Sequence, residues 1–272
     1  MKLRNSNRPV RDALLRAIGG AGLHVVERTE REDLVRLVRL LRPMDPGIEL
    51  IRLGPAGDGG YLLPDDLEGI RNAYSPGVAN ESGFELALAE RGIRVHMADR
   101  SVDGPAASHE RFTFVKKHVG CISDDDFVTL DDWKRSTAPD DDGDLLLQMY
   151  IEGGEYEVLL SVSERLLAQF RIIVLELHRL QHLYDRHFFA IASRALERLA
   201  RTHTVVHIHP NNCCGSVKGL GLEIPRIMEL TLLRNDRFSR RVPRRDFPHP
   251  LDADNVPTKP TLPLPRCWYE DR

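Results

Sequence analysis

A few short stretches of this 272-residue chain carry side chains able to move protons or hold a polar ligand. Glu176-Leu177-His178 and His207-Ile208-His209 each place two polar groups two residues apart, so on extended backbone each pair shares one face. Asn211 and Asn212 follow in a Pro-Asn-Asn turn, Tyr150 and Glu152 sit at a turn completed by Gly153-Gly154, and Asp58 opens Asp58-Gly59-Gly60. Histidine titrates near neutrality and suits a general base, so His178 is the candidate base, oriented by Glu176. The same groups allow a second chemistry. Glu176 and His178 with His207 or His209 form a carboxylate–imidazole set that could hold a divalent metal and acidify a hydroxyl. His207, His209, Asn211 and Asn212 then read as a polar wall that binds substrate.

These residues need a scaffold that gathers strand ends. Asp144 to Leu160 supplies its centre: the apolar run Leu145-Leu146-Leu147 reads as a strand buried on both faces. The two glycines let the chain turn sharply, and a helix with acids in its first turn begins at Glu155. In open α/β sheets ligands sit outside the carboxyl ends of the strands, where this turn falls. Further strands are predicted over 71–75, 93–98, 111–115, 172–178, 204–209 and 227–233, the last as an antiparallel edge. Strands alternating with helices give the α/β class.

The stretch Met149-Tyr150-Ile151-Glu152-Gly153-Gly154-Glu155-Tyr156-Glu157-Val158-Leu159 resembles the Met-Asp-Ile-Glu-Gly-Ala-Glu-Tyr-Glu-Val-Leu signature of the FkbM-type methyltransferases. Asp58-Gly59-Gly60-Tyr61, the Glu-x-His pair and the His-x-His-x-Asn-Asn run resemble the same family, and the likeness extends from Arg52 to about Pro250. It implies a seven-stranded Rossmann-like class I sheet. It also implies S-adenosylmethionine as cofactor and O-methylation of a sugar, glycan or glycosylated natural product. Tyr150 stands where the family has aspartate, which implies impaired or redirected transfer. A non-catalytic cofactor- or glycan-binding member of the fold is the alternative. For Asp58, a hairpin turn and a contact to substrate are both open.

Gly77 to Asp99 spans 22 residues, close to the roughly 20 between a dinucleotide-type glycine turn and the acid that holds ribose hydroxyls. A carboxylate offers paired acceptors to a vicinal diol. A single glycine in place of Gly-x-Gly-x-x-Gly argues against a dinucleotide, whose pyrophosphate needs several close N–H groups. That weakens the rival reading of a nicotinamide-dependent oxidoreductase. The cofactor is assigned to Gly77, Asn80, Glu81 and Ser82 at the first turn, Asp99 and Arg100 at the second, and Gly120 and Cys121 after the third strand. Ser82 also reads as a helix cap.

The bulk numbers bound the rest. A formal charge of −3 recruits neither nucleic acid nor anionic membrane. No apolar run reaches a membrane span, and Met1–Pro9 lacks the apolar core of a secretory signal, so a cytoplasmic protein is expected. Cys121, Cys213, Cys214 and Cys267 show no Cys-x-x-Cys spacing, which disfavours a zinc knuckle. The acidic runs 124–126 and 140–142 read as solvated loops. Three segments follow: a helical cap over 1–48, the Rossmann-like domain over 49–240, and a proline-rich arm over 241–272 lying extended on the surface. The cap helices, over 8–18 and 30–41, admit packing, closure over substrate or dimerisation.

Overall fold

The structure is a computed structural model, and it describes residues 8–22, 25–78 and 80–270. Its centre is one seven-stranded sheet. From one edge the strands are Phe112–Val115, Arg94–Ala98, Asn72–Pro76, Leu145–Met149, Phe170–Leu177, Met228–Arg234 and His203–Pro210. Numbered along the chain, that order is 3-2-1-4-5-7-6. The first five pair in parallel, and Met228–Arg234 runs antiparallel to both its neighbours. The sheet is thus seven-stranded and Rossmann-like, with the one antiparallel strand inserted near its end, as the resemblance implies. The order reverses between Asn72–Pro76 and Leu145–Met149, and a sheet of this kind opens its ligand crevice at such a reversal.

Leu145–Met149 and Phe170–Leu177 are buried at every position because apolar layers cover both faces. One layer joins Leu145, Leu147, Ile173 and Leu175 to the helices Glu155–Ser161 and Arg186–Leu199. The other joins Leu146, Ile172 and Val174 to the helix Gly83–Glu90 and the hairpin of Leu50–Leu53 with Tyr61–Pro64. The Asp58-Gly59-Gly60 segment is thus the loop of a hairpin, and that hairpin lies on the sheet.

Three expectations are corrected. Met228–Arg234 is antiparallel but lies inside the sheet, and His203–Pro210 is the edge. Alternation of polar groups along it (Glu229, Thr231) mimicked a solvated face, whereas both residues are buried. The C-terminal segment is more than a surface arm. Trp268 is fully buried in the core, its indole N–H donating to the Glu223 carbonyl at 3.1 Å, and Asp252 and Asn255 reach the site. Asp141 is no solvated loop charge, since it is buried and accepts hydrogen bonds from Arg71 and Asn72.

The helices Arg8–Gly20 and Arg31–Leu40 precede the sheet; the second buries Leu34, Leu37 and Val38 in the main core. The side chains of Val10 and Leu14, the N-terminal residues 1–7 and Ala79 of the first turn lie outside the described residues. Among the described residues no helix is long and apolar enough to cross a membrane. The four cysteines are free.

Candidate active site

Two cavities open at the carboxyl ends of the central strands and share Gly77 and Tyr150 as a common wall. One, of about 380 Å³, is lined by Gly77, Asp99, Ser101, Val119, Phe127 and Ile151, with Glu152 and Tyr150 at its side. The other, of about 400 Å³, is lined by Asp58, Tyr61, Asn80, Glu81, Glu85 and Gln148 besides the shared wall. Both lie within the size range of small-molecule sites.

Gly77 is held at φ 83°, and a Cβ there would stand 1.6 Å from the Tyr150 carbonyl oxygen. Only glycine lets the two turns approach so closely. Beyond this contact, Asp99 lies buried just past the second strand, its Oδ1 accepting from the Ser101 N–H and hydroxyl. Val119 and Phe127 supply apolar surface across the cavity from that acid. A carboxylate at a strand end, a glycine turn and an apolar slot are the groups a nucleoside with a vicinal diol requires, so the residues fit S-adenosylmethionine.

Not every residue assigned to the cofactor lies here. Asn80 and Glu81 line the second cavity. The Glu81 carboxylate accepts from the N–H groups of Ser82 and Gly83 at the start of the helix. The Ser82 hydroxyl accepts from the Ala106 N–H and makes no cap bond, which corrects its reading as a cap; the neighbouring Glu81 takes that role. Arg100 pairs with Asp126 at the surface, Gly120 packs against Phe127, and Cys121 is exposed. These three stay outside the lining of either cavity.

His178 lies just past the fifth strand, behind Tyr150. The tyrosine ring stacks on the imidazole with centroids 5.2 Å apart and planes inclined by 13°. The Nδ1 atom faces two acceptors, Glu155 Oε1 at 3.0 Å and the Glu176 carbonyl at 3.1 Å. Nδ1 therefore carries the proton and Nε2 presents its lone pair. Glu155 is fully buried at the first position of its helix, and the same oxygen accepts from the Ile151 and Gly153 N–H groups. The orienting carboxylate is thus Glu155. The Glu176 side chain stands 3.7 Å from Nε2, as does the exposed Glu152, whose backbone is left-handed at φ 57°. Strained backbone of this kind clusters at functional sites. Burial pulls the His178 pKa down, but the hydrogen bond and charge of Glu155, with Glu152 behind it, prevail and raise it.

Glu176 is buried, accepts from the Asn211 carboxamide at 3.1 Å, and sits directly across from Glu229 on the antiparallel strand. Glu229 in turn faces His209 on the edge strand. Burial and the mutual repulsion of Glu176, Glu229 and Asp58 push Glu176 well above the usual carboxylate range; burial raises Glu229 as well. Burial also pulls His209 down, but Asp252 and Glu229 outweigh it and raise its pKa.

Two residues of the predicted substrate wall turn elsewhere. His207 Nε2 hydrogen-bonds Asp252 at 2.9 Å, and its ring packs near Phe247 and His249. Burial lowers its pKa. Asn212 ties down the C-terminal segment, accepting from the Val256 N–H and donating to the Val256, Lys259 and Pro260 carbonyls. His207 therefore does not join Glu176 and His178 as a metal set. Among the described residues no group of three His, Cys, Asp or Glu side chains could hold a metal ion.

Glu155, Glu229, Asp252 and Asn255 went unread in the sequence. A lone charge within an apolar strand marks Glu229. Glu155 shows only as one acid among several in a first turn. Asp252 and Asn255 reach the site from more than 70 residues beyond His178, and no local pattern announces them.

No family model matches the sequence, and no curated protein matches it. Among solved structures, it is similar to the N-methyltransferase NodS from Bradyrhizobium japonicum WM9, at 14% identity over 75% of this chain and 95% of that one, with a TM-score of 0.33. It is similar to TrmN from Thermus thermophilus at 12% identity over 60% of this chain and 44% of that one, with a TM-score of 0.30. A mutant form of the 16S rRNA (adenine(1408)-N(1))-methyltransferase from Catenulisporales acidiphilia gives 12%, 72%, 100% and 0.29 for the same quantities. At such identities and scores, the reading of the site rests on its own geometry.

Proposed function

We propose that the chain is an S-adenosylmethionine-dependent methyltransferase acting on a hydroxyl of a sugar, glycan or glycosylated small molecule, as the FkbM resemblance implies. One observation carries this reading: the Glu155–His178 pair stands directly behind Tyr150, part of the wall shared by two adjacent cavities, with His178 Nδ1 held by Glu155. One cavity has the glycine turn and acid that suit the cofactor; the other has the polar lining that suits an acceptor.

When bound, S-adenosylmethionine supplies an electrophilic methyl group. Asp99 would hold the ribose hydroxyls, and Val119 and Phe127 would supply an apolar slot for the adenine. Asp58, Gln148 and Asn80 orient the acceptor from the second cavity. An alkyl hydroxyl is a poor nucleophile, and His178 Nε2 takes the proton it gives up. Glu155 fixes the imidazole in the tautomer that can do so and stabilises the imidazolium that results. Tyr150, stacked on His178, narrows the approach to that nitrogen.

The test is methyl transfer to a panel of sugar acceptors by the wild type, His178→Ala and Tyr150→Asp. His178→Ala is expected to lose about 10²–10⁴-fold in turnover, as for a general base, while still binding cofactor. Tyr150→Asp is expected to gain turnover, since it removes the ring from the face of His178 and restores the family carboxylate. Undiminished transfer by His178→Ala contradicts the assignment of the base.

A further inference from the structure

At the Asp58 side of the second cavity lies a cluster of acceptors in which Glu176 Oε2 and Glu229 have no part in the methyl-transfer chemistry. Glu176 and Glu229 are cross-strand partners, with side chains on one face of the sheet. Asn255, from the C-terminal segment, places its amide nitrogen between two carboxylates, donating to Glu229 Oε1 at 2.6 Å and to Asp58 Oδ1 at 3.2 Å. A nitrogen donor bridging two acids therefore already sits here, and the acceptors around it outnumber it. Glu176 Oε2 and Asn255 Oδ1 are buried without a hydrogen-bond partner, and Glu176 as a whole is 1% exposed. Leaving such groups unpaired is costly, so a ligand that pairs them recovers part of that cost.

The cations within reach do not satisfy the cluster. The Arg52 guanidinium is spent on the Pro55, Gly57 and Leu251 carbonyls. His209 leans by Nδ1 toward Asp252, at 3.7 Å. Three carboxyl groups thus face one imidazole and a guanidinium held by backbone carbonyls. Asp58 stands at the lining of the second cavity, so the cluster has a side open to an incoming group.

We propose that the Asp58–Glu176–Glu229 cluster binds a protonated amine of the acceptor, so that the acceptor is an amino sugar or a related amine-bearing polyol. An ammonium offers three donors to the unpaired oxygens and one positive charge to the excess of acids. Glu176 links the two functions: one of its oxygens stands 3.7 Å from His178 Nε2 while the other is unpaired. The amine is then held on the same ring as the hydroxyl presented to the base.

This inference rests on the sugar-hydroxyl reading for its substrate class, but its test needs no turnover. The full chain is titrated at pH 6.5 with glucosamine and with glucose, a pair differing by the amine, and binding is followed by ligand-detected NMR. The wild type should favour glucosamine by at least ten-fold. Glu229→Gln keeps the shape but removes one charge, and it should lose most of that preference while binding S-adenosylmethionine as the wild type does. Asn255→Ser, which leaves all three acids in place, should keep the preference. Equal binding of the two sugars by the wild type overturns the proposal, as does a preference that survives in Glu229→Gln. Failure to bind S-adenosylmethionine would instead count against the methyltransferase reading and leave the amine result to stand by itself.

Discussion

At the scale of single residues, the site is a problem of keeping one imidazole nitrogen free. The Glu155 carboxylate and the Glu176 carbonyl both accept from His178 Nδ1, which leaves Nε2 as the basic atom. In the role proposed for it His178 must be neutral, and Glu155 holds its pKa above the ordinary value near 6.5. The rate should therefore rise with pH through an apparent pKa above that value and level off on the alkaline side. In Glu155→Gln the raising charge is gone while burial still favours the neutral ring. The rising limb should move to lower pH, and the plateau should fall because the ring is held less firmly. A pH profile of kcat/KM for both proteins checks this, and an unmoved limb would remove Glu155 from the account. The sequence made His178 legible because Glu-x-His at a strand end is a local pattern. It assigned the orienting role to Glu176 because proximity in sequence stood in for proximity in space; the helix after the Gly153-Gly154 turn delivers Glu155 instead.

At the scale of elements, the two turns that frame the site are locked to each other. Gly77 at φ 83° brings its Cα against the Tyr150 carbonyl, and the Tyr150 N–H donates back to the Pro76 carbonyl at 3.1 Å. Gly77→Ala adds a methyl group where the Tyr150 oxygen already stands, on backbone that alanine disfavours. Thermal or denaturant unfolding should show a loss of about 2–4 kcal/mol, in the range of severe single substitutions. Cofactor affinity should fall further than stability alone explains, because the turns part at the cavity wall. Unchanged stability would mean that the turns relax independently. Parallel strands read clearly in the sequence because burial on both faces leaves unbroken apolar runs such as Leu145-Leu146-Leu147. The inserted strand Met228–Arg234 read as an edge because Glu229 and Thr231 alternate with leucines. Those polar groups are buried by tertiary contacts: Thr231 donates to the Leu62 carbonyl of the hairpin, and Glu229 meets Asn255.

At the scale of the whole molecule, an N-terminal helix and the C-terminal segment meet over one face of the sheet. The helix Arg31–Leu40 packs near the Arg266–Trp268 turn, and Leu34 and Trp268 share one apolar core with the sheet residues Leu145 and Ile173. Proline content alone suggested an extended surface arm, since the pattern cannot show that a distant tryptophan finds a slot. Trp268→Ala should destabilise the fold by about 3–5 kcal/mol, the range for losing a buried aromatic side chain. The same segment carries Asp252 and Asn255, so the variant should also disturb the polar cluster at the acceptor side while leaving Asp99 in place. A melting curve checks the first point, and a small shift of melting temperature would show the tail to be dispensable.

The central claim is that Gly77, Asp99 and the apolar slot between Val119 and Phe127 hold S-adenosylmethionine, and calorimetric titration with that cofactor tests it most directly. Wild-type protein should bind it saturably with one site per chain. Asp99→Ala removes the carboxylate from the strand end and should weaken binding by about 1.5–3 kcal/mol, the range for hydrogen bonds to a charged group. No binding by the wild type, or equal affinity in the variant, would contradict the account.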